Sequence, residues 1–200
     1  MAGERSYYRE EGFSKSRREL RRERRKKKGR AGLTELLVTV GVAFVLIFGF
    51  VRPFVVQPFW IPSESMLPTL EVGDRLFVDK FVYRFQEPEV GDIVVFDGLE
   101  TDDELIKRVV AVPGDRVKVS NGVLRVNGDF PEEPYARAAI FPDGSDFGPT
   151  RLQEGEVFVM GDNRGNSRDS RFFGPVPVEN IEGEAFLRFW PPSRIGMLQG

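Results

Sequence analysis

An apolar segment of membrane length near the N-terminus constrains the fold of this chain more than any other feature. It runs from about Leu33 to Phe50, with one charge, Glu35, close to its start. A helix of that length reaches roughly 27 Å, close to the roughly 30 Å hydrocarbon core of a bilayer. Because Arg52 and a proline follow, the sequence predicts a transmembrane anchor at residues 33–52.

A buried core helix and a cleaved targeting peptide are the two alternatives for this segment. The segment is apolar on all faces and has a strongly basic flank, which argues against a buried core helix. No small-x-small cleavage site occurs in residues 50–57, so we expect the segment to be retained.

Charge is distributed unevenly along the chain. Residues 1–32 contain 13 Lys/Arg and 5 Asp/Glu, whereas the chain from Pro53 onward contains 15 and 25. The basic part is too polar to bury a core and is predicted to be a largely disordered cytoplasmic tail that favours the lipid bilayer. No nucleic-acid-binding fold accompanies this charge, so we expect no nucleic-acid partner. Residues 53–200 are then expected on the outer side of the membrane.

Residues 53–200 have the pattern of a mainly β domain. Short β-branched and aromatic runs recur after turn signals. The predicted strands are Arg75–Val78, Ile93–Phe96, Leu105–Val112, Arg116–Val119, Val123–Val126, Val157–Met160 and Ala185–Trp190. Asn121-Gly122 predicts a tight hairpin, and Asn127-Gly128 a second turn. Residues 130–155, rich in Pro, Gly and Asp, are interpreted as a surface excursion, and the strand spacing favours a small barrel or folded sheet assembly.

The chain contains no His and no Cys, which restricts its chemistry. Disulfides, thiol nucleophiles and zinc sites built from thiolate or imidazole are excluded. Carboxylates could in principle hold Mg²⁺ or Ca²⁺, but we expect no metal and no cofactor. A serine nucleophile would need a base other than imidazole.

A proline-bracketed turn at residues 62–68 could supply that nucleophile. It contains Ser63 and Ser65. The structural alternative is that Ser63 caps a helix and Ser65 is a bystander. However, Met66 stands where a capping box needs Glu or Gln, and Pro68 allows only a first helical turn.

Lys107, in the apolar run at residues 105–110, could supply the base. The structural alternative is a lysine that snorkels or pairs at a sheet edge. A lysine base must lose its proton near neutral pH, so its pKa must fall by roughly 3 from about 10.4. Burial among aliphatic side chains lowers the pKa of a lysine in this way.

A polar loop at residues 161–174 is the third segment with chemical potential. It does not have the pattern of a calcium loop, because Arg164 occupies a ligand position. Its alternating Asp and Arg residues could brace a loop. Ser167 could hydrogen-bond a neutral lysine amine.

Together these segments closely resemble bacterial type I signal peptidases, which are membrane-bound leader peptidases with a Ser/Lys dyad. The resemblance extends from the anchor to the C-terminus through four motifs in order. They occupy residues 62–70, 91–96, 107–115 and 161–177. It implies an antiparallel β domain with two sheet lobes after one N-terminal transmembrane helix. It also implies removal of signal peptides from exported preproteins. The enzyme would cut after small residues, with the sequence Ala-x-Ala directly before the cut.

The resemblance also implies roles for individual residues. Ser65 would be the nucleophile, Lys107 the general base and Ser167 the residue that orients the amine. The Ser65 N–H and the Ser63 hydroxyl would form the oxyanion hole. The implied structural braces are Asp162, Arg164, Asp169 and Arg171. The implied substrate-binding residues are Phe59, Ile61, Met66, Leu70, Leu105 and Ile106.

Two positions depart from the pattern of the family. Glu64 stands where many members have Gly, and Leu105 stands where many have Tyr. Neither residue is expected to take part in the reaction itself.

The implied location is the cytoplasmic (inner) membrane of a bacterium, with a single span and the N-terminus inside. The implied partners are signal peptides, the bilayer and, indirectly, the secretion machinery. Two alternatives stay open: a specialised pilin- or conjugation-type Ser/Lys peptidase, and a noncatalytic membrane-anchored β module that binds exported chains. The predicted anchor argues against a self-cleaving repressor.

Overall fold

The computed structural model describes residues 35–46, 56–99, 103–137 and 146–198. The chain divides into two units, Met1–Phe50 and Val51–Gly200. In the first unit, residues 35–46 form a helix, α1, whose side chains are exposed.

Helix α1 lies within the anchor that the sequence predicts. The predicted tail and the two ends of the predicted anchor fall outside the described residues. Within the part of the chain that is described, no helix combines the length and the apolar character needed to cross a bilayer.

Most of the regular secondary structure in the second unit consists of β-strands. Those described are β1 (Val56–Trp60), β2 (Arg75–Asp79), β3 (Ile93–Asp97), β4 (Glu104–Ala111), β5 (Arg116–Ser120), β6 (Val123–Val126), β7 (Phe147–Arg151), β8 (Glu156–Met160), β9 (Val176–Pro177), β10 (Ile181–Trp190) and β11 (Gly196–Met197). One short helix, α2 (Ser170–Phe173), lies between β8 and β9.

These strands form two antiparallel sheets. The eight-stranded sheet has the order β1-β2-β10-β3-β4-β8-β9, with β11 paired to β10, and the three-stranded sheet has the order β6-β5-β7. Every pairing between these strands is antiparallel. The expectation of a mainly antiparallel β domain with two sheets is therefore confirmed.

The strands predicted from short apolar runs are all present. The predicted hairpin is also present: Ser120 pairs with Val123, and the intervening Asn121 and Gly122 have φ values of 48° and 73°. Two positive φ values match the turn that best follows the twist of a two-residue hairpin.

Strands β1 and β7 and the two-residue strands β9 and β11 were not predicted. Strand β7 lies inside the segment interpreted as a surface excursion, and Leu152, which follows it, is buried in the core. The prolines and glycines of these segments mask the alternation that marks a strand, because Gly148 and Pro149 interrupt β7. Residues 138–145 of the excursion lie outside the described residues.

Strand β4 is central to the packing of the second unit. It contributes Ile106 to one apolar cluster, Val110 and Ala111 to a second, and Val109 to a third. All of its residues from Ile106 to Ala111 are buried. Lys107 and Arg108, the polar residues of this buried stretch, are therefore surrounded mostly by protein and not by water.

We predict that Gly183→Ala destabilises the second unit. A Cβ at Gly183 on β10 would overlap the carbonyl oxygen of Asp79 and lie 2.9 Å from Cγ1 of Val78. Overpacking against a fixed backbone atom costs roughly 1–3 kcal/mol of unfolding free energy, which denaturant unfolding followed by circular dichroism would measure. Gly196→Ala on β11 is the matched control, because nothing lies within 4 Å of its Cβ position. Equal stability of the two variants would contradict this packing argument.

Candidate active site

Ser65 lies in a compact turn that links β1 to β2. The Leu67 N–H donates to the Glu64 carbonyl at 3.1 Å, and the Leu70 N–H donates to the Met66 carbonyl at 2.9 Å. These bonds close two overlapping turns, and Leu67 and Pro68 between them are joined by a cis peptide bond. Ser65 itself is only 7% exposed.

Strand β4 places the Lys107 amine against this turn. Lys107 Nζ donates to Ser65 Oγ at 3.0 Å and to the Ile106 carbonyl oxygen at 2.8 Å. Ser63 Oγ lies 3.2 Å from Ser65 Oγ. Two hydroxyls and one buried amine therefore converge, although the residues are 42 positions apart along the chain.

Burial of Lys107 lowers the pKa of its amine from 10.5 to about 8. Removal from water penalises the charged ammonium, and this is the largest effect. Asp169 and Asp162 act in the opposite direction and raise the pKa. A substantial fraction of the amine is therefore neutral just above neutral pH, as a base requires.

The loop that follows β8 fixes the backbone of the turn. The Asn163 N–H donates to the Ser65 carbonyl at 3.0 Å, and Asn163 Nδ2 donates to the Glu64 carbonyl at 3.1 Å. A Cβ at Gly161 would lie 2.5 Å from the Ser65 carbonyl oxygen, so only glycine permits this approach. The sequence analysis did not single out Asn163, although it lies within the polar loop identified there.

Asp169 and Arg171 form the ion pair that the alternating charges of this loop predict. Arg171 Nε donates to Asp169 Oδ1 at 2.8 Å, and Arg171 Nη2 donates to Asp169 Oδ2 at 2.9 Å. Asp169 Oδ2 also accepts a bond from the Gly161 N–H at 3.0 Å. The pair therefore holds both ends of the loop.

Asp162 and Arg164 find their charged partners outside the loop. Arg108 Nε and Nη2 donate to the Asp162 carboxylate at 3.0 and 2.9 Å, and Arg164 pairs with Glu133. Thr69, which directly follows the Ser65 turn, also donates to Asp162, at 2.5 Å. Sequence reasoning missed these partners because they lie 54, 31 and 93 residues away along the chain.

Ser167 lies close to the site, but the predicted hydrogen bond to the Lys107 amine is not formed. Its hydroxyl is buried and has no hydrogen-bond partner in the described part of the chain. Ser167 Oγ lies next to Gly161, and its carbonyl accepts a 3.3 Å bond from Arg171. The Lys107 amine donates instead to Ser65 and to the Ile106 carbonyl.

A cavity of about 590 Å³ opens beside the paired serine and lysine. Of the residues predicted to bind substrate, Phe59, Leu105 and Ile106 line it. Its lining consists of Pro58, Phe59, Trp60, Pro62, Ser63, Asp103, Glu104, Leu105, Ile106 and Lys107.

The other three residues predicted to bind substrate do not line this cavity. Ile61, Met66 and Leu70 are each 0% exposed and pack in the apolar cluster that also contains Phe59 and Ile106. They support the turn from beneath, because their side chains are buried in the core on which the turn packs.

A serine hydroxyl bonded to a buried amine of lowered pKa can carry out acyl transfer, since the neutral amine can take the hydroxyl proton during attack on a carbonyl. The family model "Signal peptidase, peptidase S26" matches residues 33–190 of this chain.

Named relatives agree with this match. The probable signal peptidase I-2 of a Synechocystis strain is 44% identical over 170 residues, which is 82% of this chain and 76% of the relative. The signal peptidase I of Leptolyngbya laminosa is 44% identical over 174 residues, 83% of this chain and 84% of the relative. A solved signal peptidase I from Enterococcus faecalis aligns with 29% identity and a TM-score of 0.42, covering 50% of this chain and 97% of that one. The chain belongs to the signal peptidase family, peptidase S26, and is a serine endopeptidase that removes signal peptides.

Proposed function

We propose that this chain cleaves exported preproteins with Ser65 as the nucleophile and Lys107 as the general base. The observation that carries this assignment is the 3.0 Å hydrogen bond between Lys107 Nζ and Ser65 Oγ. Both side chains are buried, so bulk water does not compete for the hydrogen bond between them.

The reaction would proceed through an acyl-enzyme. The neutral Lys107 amine accepts the Ser65 proton as Oγ attacks the scissile carbonyl, and the resulting ammonium then protonates the departing amine. A water molecule, deprotonated by the same amine, then attacks the ester carbonyl, and the ammonium returns the proton to Ser65 Oγ as the signal peptide leaves as a carboxylate. The Ser65 N–H and the Ser63 hydroxyl are the proposed donors to the oxyanion, and the 3.2 Å separation of the two hydroxyls supports the second of these roles.

The cavity beside the dyad is the proposed binding site for the residues that precede the cut. Phe59, Leu105 and Ile106 are bulky apolar residues on its wall. Bulky walls leave shallow subsites that accept alanine and exclude larger side chains by overlap. We therefore propose cleavage after Ala-x-Ala. Leu105, which departs from the Tyr of many relatives, is the position most open to a change in this preference.

We place the chain in the cytoplasmic membrane of a bacterium, with an anchor at residues 33–52 and residues 53–200 outside. The apolar segment and its basic flank support this topology. Protease added to sealed spheroplasts should digest residues 53–200 and spare residues 1–32. Digestion of the basic tail would show the opposite orientation. Signal peptides and the bilayer are direct partners in this arrangement, and the secretion machinery is an indirect one.

We predict that Ser65→Ala and Lys107→Ala each abolish cleavage of a preprotein by the purified full-length chain. Nucleophile and base act as one unit, so either loss should lower the rate by at least about 10³-fold. Electrophoresis would measure turnover, and sequencing of the product's N-terminus would locate the cut after a small residue.

Lys118→Ala is the matched control, because Lys118 is an exposed lysine on β5 in the other sheet. Substantial turnover by either dyad variant would exclude this assignment. Efficient cutting after Leu or Phe would refute the shallow-subsite argument. Absence of any cleavage by the wild-type chain would favour the noncatalytic alternative.

The cleavage rate should rise with pH through the ionisation of Lys107, whose pKa is about 8. Below this pH the ammonium has no lone pair to accept the serine proton, and above it the neutral base predominates, so the rate should reach a plateau. Values of kcat/KM across about pH 6 to 10 would trace this curve.

Lys107→Arg should be inactive throughout this range because a guanidinium keeps its proton. EDTA should leave the rate unchanged. A rate that falls with pH, or inhibition by EDTA that added metal reverses, would contradict the lysine-base mechanism.

A further inference from the structure

Residues 133–137 cross the outside of the loop that supports the site. Arg137 pairs with Asn163 in an isolated parallel bridge, and the Arg137 N–H donates to the Asp162 carbonyl at 2.7 Å. This segment lies in the part of the chain that the sequence pattern marks only as a surface excursion. Its contacts give it a more specific place in the site.

Tyr135 covers the guanidinium of Arg108. The centre of that group lies 4.0 Å from the centroid of the Tyr135 ring, within the range of a favourable cation–π contact. The edges of the guanidinium are already occupied, by Asp162 and by the Gly91 carbonyl at 2.7 Å. With its face under the ring, Arg108 is only 2% exposed.

Glu133 holds the next part of the same loop. It pairs with Arg164, which is 4% exposed, and Arg164 Nε donates to the Gly161 carbonyl at 3.0 Å. Glu133, Tyr135 and Arg137 therefore contact, directly or through an arginine, all four residues from Gly161 to Arg164.

These contacts reach residues that are themselves bonded to the Ser65 turn or adjacent to Lys107. Asn163 holds the Ser65 carbonyl, and Asp162 accepts the bond from Thr69, which directly follows that turn. Arg108 directly follows Lys107 on β4. No residue of the segment itself touches the dyad, so any influence must pass through Arg108 or through the loop.

We propose that residues 133–137 form a positioning strap, in which Tyr135 and Glu133 hold Arg108 and Arg164 so that the Ser65 turn and Lys107 keep their mutual geometry. This inference rests on the proposed function of the dyad. Tyr135 and Glu133 are positioning residues and not catalytic ones.

The strap should also influence the pH dependence of Lys107. The charged groups that act on Lys107 are Asp169, paired with Arg171, and Asp162, paired with Arg108; the Ser65 hydroxyl bonds the amine directly. Loss of the Tyr135 ring should admit water to Arg108. That water weakens the effect by which the positive charge of Arg108 offsets the negative charge of Asp162. The less compensated carboxylate favours the ammonium, so the pKa of Lys107 should rise.

The test compares Tyr135→Leu with Tyr135→Phe in the full-length chain. Loss of the ring in Tyr135→Leu should lower kcat about tenfold near neutral pH, the scale of one desolvated cation–π contact, and leave KM within about twofold. Its pH profile should shift to higher pH. Tyr135→Phe keeps the ring and loses only a long 3.5 Å contact with Glu133, so it should behave like wild type.

Phe130→Leu is the matched control. The Phe130 ring also lies under an arginine, Arg125 at 3.9 Å, but it is 61% exposed and lies outside the segment at residues 133–137. This variant should keep wild-type kcat and pH profile. A ¹³C NMR titration of labelled Lys107 reads the predicted rise in pKa in Tyr135→Leu without any substrate.

Wild-type kcat and Lys107 titration in Tyr135→Leu would overturn the strap. A loss of rate that follows thermal stability, with an unchanged titration, would also overturn it, because that is a purely structural role. If Tyr135→Leu does not fold, Glu133→Gln provides the test, and Glu132→Gln at an exposed position is its control. A reduced kcat at constant KM in Glu133→Gln alone supports the strap. Wild-type behaviour of Glu133→Gln overturns it. Failure of the wild-type chain to cleave would count against the proposed function, while the NMR titration would still decide the strap.

Discussion

The buried ion pair between Arg108 and Asp162 is the interaction on which the geometry of this site depends. Asp162 is 0% exposed and Arg108 is 2% exposed, and they share two hydrogen bonds of 3.0 and 2.9 Å. One partner directly follows Lys107 on β4, and the other directly precedes Asn163, which holds the Ser65 carbonyl. The pair therefore joins the strand that carries Lys107, the proposed base, to the loop that fixes the backbone of Ser65, the proposed nucleophile. Desolvation destabilises such a pair unless its remaining hydrogen-bonding groups are satisfied. Here the Gly91 carbonyl accepts a bond from Arg108, and the Thr69 hydroxyl donates one to Asp162.

The same loop solves an electrostatic problem. A lysine base needs an apolar surrounding that lowers its pKa, yet the loop that holds the serine brings two buried carboxylates, Asp162 and Asp169, close enough to raise it. Each carboxylate is paired with its own arginine, Arg108 or Arg171, which reduces its effect on the amine. Burial remains the larger influence, and the pKa of Lys107 stays near 8. A lysine beside buried carboxylates can therefore keep a lowered pKa when each carboxylate is paired with an arginine, because the positive charge of the arginine offsets much of the field of the carboxylate.

The local elements of the fold could be predicted from the sequence, and so could Ser65 and Lys107, the two side chains that the structure brings together. The apolar run around Lys107 predicted a strand, and β4 is present. Asn121-Gly122 predicted a hairpin, and its positive φ values are observed. At two positions the local pattern and the tertiary contacts diverge, and the predicted roles of these residues stay predictions. The family resemblance implied a substrate contact for Met66, whose side chain is completely buried in the core of this structure. Ser167 was assigned to the amine, whose bonds go instead to Ser65 and Ile106.

By itself, the sequence determined the chemistry available to this protein. With no His and no Cys, a serine in a proline-bracketed turn and a lysine in an apolar run, it left a Ser/Lys pair as the most direct route to a hydrolase. These properties are local, since they depend on residue type and on neighbours a few positions away. Only the tertiary structure decided which charges pair, because Arg108 meets Asp162 and Arg164 meets Glu133 across 54 and 31 residues. Antiparallel pairing and loop closure set those contacts, and a local pattern carries no record of which distant strand or segment will lie beside it.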